Sequence, residues 1–492
     1  MGERDVKGVK GKARRKLLAL GFGSGLIILL ELLLRGFNIA PLDTPLPELY
    51  FKPEPVFVRE GDYFRSSRQS QKHHLDQRFQ AVKPRNGLRV FIIGGSAAMG
   101  FPLEGFFGPN QLLPLGLAAA APGRSYEVVN VSGFGFAAYR LVPLVEEILD
   151  HEPDAIIALT GNNEFLERRF HDRGFWLRSL ERLRLYRLMA GLLSAARGEA
   201  AEVRWEEYPV TDRVREQALE NYRRNLEQIA SRCAARSTPL ILLTVPVNLK
   251  DYRPLGDSRA DPDQQRAIDQ ALQAGELDRA QAMLQPLLEN FPDDAWLLYE
   301  QAWLYHLRAA AEGKDELNRK AAELFAAARE KDPRPVRALS AMNETLRGLG
   351  RAGKAALVAD AAAAFEEAAV LPGAPGDELF FDHCHLNASG QELLARLMVK
   401  ALIGTGALDP PADWEDRFSR SLQKRRDKVR DASWADGIYI MGYETGMNMG
   451  RVCRGYRLAR EAHALDPDHQ KARMLVEALE PRFKDAYCLT GD

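Results

Sequence analysis

Four loops in this chain hold polar residues of the types that acyl transfer needs, and each follows a run that reads as a buried strand. Ser96 stands after Phe91-Ile92-Ile93-Gly94-Gly95. Asn130, Gly133 and Gly135 follow a second run, Gly161-Asn162-Asn163-Glu164 a third, and Asp382 with His385 a fourth. A serine hydroxyl is a poor nucleophile until a base takes its proton and fixed donors receive the oxyanion that forms. The base must be a neutral imidazole whose other nitrogen is held by a carboxylate. Each requirement has a candidate residue here.

The elements that must position these loops alternate in type. Leu88 to Ile93 is apolar and β-branched with one charge at Arg89, and Gly94-Gly95 lets the backbone turn sharply at its carboxyl end. Further strand signals lie at Tyr126 to Val131, Ala155 to Thr160 and Leu240 to Val245, with helical patterns at Ala137 to Leu149 and Arg213 to Ala235. Strands alternating with helices predict a parallel sheet with right-handed crossovers, and such sheets bind ligands outside the carboxyl ends of their strands. From about Gln264 the chain turns to alanine-rich helices. There Ala280, Leu284, Leu287 and Pro292 recur as Ala321, Phe325, Ala328 and Pro333, a small residue admitting a neighbouring helix and a proline ending each pair. Ala462, Leu465 and Pro467 hint at a further pair. The run Glu378 to Phe381 then reads as a return to the first sheet, which makes the helical region an insertion within the α/β domain.

The four loops, in this order, resemble the blocks of the SGNH hydrolases, also called the GDSL esterase and lipase family. The resemblance covers about residues 88–165 and 375–400, with the strand near 240 between. It implies a three-layer α/β/α, flavodoxin-like parallel sheet and an acyl-serine mechanism. Carried over position by position, Ser96 is the nucleophile and its own N–H one oxyanion donor; Gly135 matches the second-block glycine, with Gly133 close by; and Asn163 supplies the side-chain amide. His385 is the base and Asp382 orients it. Two places depart from the pattern: Gly95 replaces the aspartate before the serine, and Glu164 replaces the aspartate after Asn163. Taken singly, Ser96 is also a fit helix cap, His385 a surface histidine and Asn163 a turn residue. The repeat likewise resembles the tetratricopeptide pattern, lengthened by a short insertion.

The 492 residues exceed one ordinary core, and a net charge of -1 with no zinc-finger or basic-arm pattern excludes nucleic acid as an expected partner. Four cysteines are too few and scattered for a disulfide scaffold, although Cys453 and Cys488 can pair in an oxidising compartment. His383-Cys384-His385 offers good zinc ligands. On an extended chain, however, Cys384 faces away from the two imidazoles, so neither a metal nor a cofactor is assigned. At the amino end, Lys7, Lys10, Lys12, Arg14, Arg15 and Lys16 precede an apolar run from Leu17 to Leu34 whose only charge is Glu31. Such a run is long enough to span a bilayer, and its positive flank stays cytoplasmic. The basic, aromatic stretch from Arg168 to Leu188 either rests on anionic headgroups or packs its leucines on the sheet and leaves its arginines solvated.

The expected organisation is a cytoplasmic basic segment (1–16), a transmembrane anchor (17–37), a stalk (38–85), the first part of the hydrolase domain (86–260), a tetratricopeptide-like insertion (261–370), the last part with Asp-x-x-His (371–410) and a helical region (411–492). The expected activity is that of an extracytoplasmic serine esterase, periplasmic if the source is bacterial, acting on an ester-bearing substrate. Two alternatives stay open: an O-acyltransferase that passes the acyl group to a cell-surface polysaccharide, and a non-catalytic membrane-tethered scaffold whose helical insertion holds a protein partner.

Overall fold

The computed structural model describes residues 22–23, 25–37, 39, 55–68, 70–166, 180, 183–189 and 210–485. They divide into two units, residues 1–54 with 168–204, and residues 55–167 with 205–492. In the first unit a helix over 25–36 leaves Leu26, Ile27, Ile28, Leu29, Leu32 and Leu33 exposed, and Glu31 pairs with Arg35 at 2.9 Å. Among the described residues no helix is long and apolar enough to cross a membrane. The span expected over 17–37 begins at residues outside them, and most of the basic stretch from Arg168 to Leu188 lies outside them as well.

The second unit opens with β1 (Phe57–Glu60), β2 (Tyr63–Ser66) and β3 (Arg78–Gln80), which pair antiparallel in that order. This corrects the stalk expected over 38–85 for residues 55–85; most of 38–54 lies outside the described residues. The strands are short and their outward residues charged, so the sequence reads as a loop. Their inward residues are aromatic: Phe57 and Phe79 are buried with ring centroids 5.0 Å apart, and Phe79 lies 5.7 Å from the Phe91 ring. Burial of these faces fastens the small sheet to the main core.

The main sheet is built from β4 (Gly87–Gly94), β5 (Ser125–Asn130), β6 (Ala155–Leu159), β7 (Leu240–Leu243) and β8 (Leu357–Ala359), all parallel, in the order β5-β4-β6-β7-β8. Every residue of β4 and β6 is buried, as expected of strands covered on both faces. The connecting helices are α1 (Ser96–Met99), α2 (Pro109–Ala120), α3 (Ala138–Leu149) and α4 (Asp212–Ala235). The strand order reverses between β4 and β6, which leaves a crevice at their carboxyl ends.

Between β7 and β8 run α5 (Pro262–Gln273), α6 (Leu277–Asn290), α7 (Ala295–Glu312) and α8 (Asp315–Lys331). Ala280 and Leu284 on α6, and Ala321, Phe325 and Ala328 on α8, are buried as their spacing predicts, whereas Leu287 is only half-buried. The insertion ends earlier than residue 370, because α9 (Ser340–Arg351), β8 and α10 (Ala361–Ala368) belong to the α/β body. Its two ends are fastened together: Asp332 accepts the N–H groups of Leu255 and Gly256, each at 3.0 Å, and Arg337 donates to the carbonyls of Asn248 and Tyr252, each at 2.8 Å.

The fifth strand is β8, not the run from Glu378 to Phe381, which makes only an isolated bridge from Phe380 to Leu386. Beyond it lie α11 (Ala388–Gly404), α12 (Trp414–Lys428), α13 (Asp431–Tyr443), α14 (Val452–Leu465) and α15 (Gln470–Asp485). Helix α2 packs on α11 and α12, and α3 on α4. Cys453 at the start of α14 is disulfide-bonded, whereas Cys233 and Cys384 are free; Cys488 lies outside the described residues.

Candidate active site

Ser96 is the first residue of α1, so the end of β4 delivers its side chain straight to the crevice. The delivery needs glycine on its approach. A Cβ on Gly94 would lie 2.0 Å from the Leu159 carbonyl oxygen, and one on Gly95 would lie 2.5 Å from Asn163 Nδ2. No contact that close is sustainable. A side chain at Gly95 would therefore have to displace the Asn163 amide from the place it holds here.

His385 Nε2 lies 2.8 Å from Ser96 Oγ, and its Nδ1 lies 2.7 Å from Asp382 Oδ2. An ionised carboxylate only accepts, so Nδ1–H donates to Asp382, Nε2 is left without a proton, and the Ser96 hydroxyl donates to it. The other oxygen of Asp382 accepts the backbone N–H groups of Cys384 and His385 at 2.9 and 2.8 Å, which folds residues 382–385 into a tight turn. Burial pushes the Asp382 carboxyl up, but the facing imidazoles of His383 and His385 outweigh it and hold the group well below the usual carboxylate range. Asp382 stays an anion able to stabilise an imidazolium.

That turn also corrects the separation expected of His383, Cys384 and His385. The ligand atoms of these three and of Asp382 lie within 4.8 Å of one another, because the chain turns here instead of extending. As arranged, the carboxylate already accepts the two backbone N–H groups and the imidazole. Burial, with the Asp382 charge, raises the Cys384 thiol well above its ordinary pKa.

The remaining predicted groups lie on the loops after β5 and β6. Gly135 adopts φ +67°, a conformation that suits glycine, and among the described residues no hydrogen bond engages its N–H. The N–H of Gly133 is already bonded to the Gly94 carbonyl at 3.0 Å, so of the two glycines Gly135 is the one with a donor to offer. Asn163 Nδ2 donates to the Phe136 carbonyl at 3.0 Å, which fixes the amide beside Gly95 and uses one of its two hydrogens. Glu164 turns away from the site, where its carboxylate accepts the Ala138 N–H at 2.8 Å at the start of α3; burial pushes its pKa up to about 7.

Asn130 was named from sequence without a role, and Gln77, Phe101 and Phe134 were not singled out. Asn130 Nδ2 donates to the Ala98 carbonyl at 2.8 Å, and its Oδ1 accepts the Ser132 N–H at 3.1 Å, which ties the second loop to α1. Gln77 bonds both the N–H and the carbonyl of Asn130. Phe101 rests its ring edge-on to His385 with centroids 5.1 Å apart, and the half-exposed Phe134 stacks edge-on to Phe101 at 4.5 Å. Only the position of Asn130 at a strand end signalled a role. The others depend on which segments fold back onto the crevice.

No family model matches the chain, and no curated protein matches it. Among solved structures it is similar to a GDSL-like lipase from Parabacteroides merdae, at 13% identity over 66% of this chain and 98% of that one with a TM-score of 0.33. It is also similar to an α/β hydrolase from the metagenome of Lake Arreo, at 15% identity over 66% and 97% with a TM-score of 0.31. A third is an acetylxylan esterase from Geobacillus stearothermophilus, at 14% identity over 65% and 96% with a TM-score of 0.29. A likeness at this level says nothing of chemistry, which rests on the residues themselves.

Proposed function

We propose that this chain is a serine hydrolase of the SGNH type, with a flavodoxin-like three-layer core, that cleaves esters through an acyl-Ser96 intermediate. One observation carries the reading: the unbroken hydrogen-bonded line from Asp382 through His385 to the Ser96 hydroxyl. Nε2 takes the hydroxyl proton as Oγ attacks the ester carbonyl, and Asp382 supports the imidazolium that results. The oxyanion is received by the N–H groups of Ser96 and Gly135 and the Asn163 amide, each worth roughly 3 kcal/mol in the transition state. Collapse expels the alcohol, which takes the proton from Nε2. Water then attacks the acyl-serine along the same path in reverse and releases the acid.

An amino-terminal anchor over 17–37 with the catalytic unit outside the cytoplasm belongs to the same proposal; the disulfide at Cys453 supports an oxidising compartment. The tetratricopeptide character of α5–α8, and a protein partner held there, are also part of it. The test is incubation of the full chain with a fluorophosphonate probe, followed by intact-protein mass spectrometry. One adduct on wild type and none on Ser96→Ala is expected. A folded wild-type chain that takes no adduct overturns the reading and leaves the scaffold alternative.

A further inference from the structure

We propose that Arg454, on α14, is a positioning residue for the loop carrying Asp382 and His385, so that the carboxyl-terminal helical region is part of the catalytic apparatus. The inference rests on the role proposed above for Ser96, His385 and Asp382. The Arg454 side chain is 3% exposed. Its Nη1 donates to the Phe381 carbonyl at 2.6 Å and lies 2.7 Å from Asp377 Oδ1, while Nη2 donates to the Asp251 carbonyl. One guanidinium fork thus joins three segments that are far apart in sequence.

Phe381 is the residue that matters most among these partners. It immediately precedes Asp382, and its own N–H donates to the His385 carbonyl at 2.8 Å, closing the turn that holds both groups. Arg454 therefore grips the closing peptide from outside. Asp377, on the same approach, also accepts the Asn248 amide at 3.0 Å, and Asn248 N–H donates to the His383 carbonyl at 3.0 Å. Burying a guanidinium is costly, and the Nε of Arg454 is buried without a hydrogen-bond partner, so the bonds from its two Nη groups must offset that cost and favour the one geometry that makes them all.

The helix that carries Arg454 is itself held closely. A Cβ on Gly455 would lie 2.3 Å from the Gly446 Cα and 2.8 Å from the Gly442 carbonyl oxygen, so α14 touches the preceding segment backbone to backbone. A cavity of about 490 Å³, lined in part by Phe380, Phe381, Asn387 and Arg454, lies beside the fork.

The experiment measures the rate at which a fluorophosphonate labels Ser96 in the full chain. Arg454→Ala is expected to label about 100-fold more slowly, the scale of a misplacement near 1 Å, with its cooperative thermal transition retained. Guanidinium ion at millimolar concentration restores part of that rate and leaves wild type unchanged, and Arg454→Lys falls between the two. Labelling of Arg454→Ala at the wild-type rate overturns the proposal, as does slow labelling that neither guanidinium nor lysine improves. Should the alanine variant not fold, Arg454→Lys decides: one donor in place of a fork predicts about tenfold slower labelling, and a wild-type rate overturns the proposal. An unlabelled wild-type chain overturns the Ser96 reading and this role with it, whereas a labelled wild type with an indifferent Arg454→Ala overturns the positioning role alone.

Discussion

Ser96 and His385 stand 289 positions apart in the chain, yet Oγ and Nε2 are 2.8 Å apart. Groups that act as one unit are not additive when removed. Ser96→Ala or His385→Ala should each lower single-turnover ester cleavage by about 10⁶-fold, and the double variant should be no slower than either. Asp382→Asn should cost about 10⁴-fold, since an amide at Oδ2 no longer selects the Nδ1–H tautomer. Additive losses in the double variant would remove the basis for a shared proton path.

Asn163 makes a prediction of a different kind, because its amide has work only after attack has begun. Asn163→Ala should lower kcat by about 10²- to 10³-fold with KM little changed. Steady-state kinetics on a short-chain nitrophenyl ester checks it. A rise in KM at constant kcat would assign the amide to ground-state binding.

Gly95 tests the same amide from the other side. A methyl group at this position meets Nδ2 at 2.5 Å, and the amide is fixed by the Phe136 carbonyl. Gly95→Ala should therefore lower kcat by about 100-fold through displacement of the donor, while Ser96 still takes up a fluorophosphonate slowly. Paired with Asn163→Ala it should add little, and a double-mutant cycle reads the coupling.

Glu164 gives the chain a pH-dependent stability. Its carboxyl has an ordinary value of 4.5 and is pushed up to about 7 by burial in the folded chain. Between those values the folded state holds a proton that the unfolded state has released. The contribution is thus fully present below pH 4.5 and is lost as pH rises through about 7, amounting to about 3 kcal/mol at 1.36 kcal/mol per unit. Glu164→Gln should remove this slope. Denaturant unfolding of both proteins at about pH 5 and about pH 8 measures it, and parallel losses in the two would contradict the assignment.

The parts of the site legible in sequence were those written as local pattern. β4, β5, β6 and β7 fall where apolar, β-branched runs predict them, and the loops after them hold Ser96, Gly135 and Asn163. Asp382 and His385 were legible as polar groups after an apolar run, although that run is not a strand: the Asp382 side chain captures the following N–H groups and turns the chain first. What local pattern could not carry was the packing of remote segments. β8 has three half-buried residues and no signature of its own, and β1, β2 and β3 expose charges on the side that a reader sees first. Gln77 and Arg454 act through groups of segments remote in sequence, so nothing in their own neighbourhoods announces them.

Asp332, holding Leu255 and Gly256, means that the four helices α5 to α8 depart and come back at nearly one point. The ends of the excursion are thus held together whatever its length, although Tyr299 on α7 also donates to the Lys250 carbonyl and Asp269 on α5 pairs with Arg253. Such a stretch behaves as a cassette: natural selection or an engineer can lengthen, shorten or exchange it, provided that the stitch at its base survives.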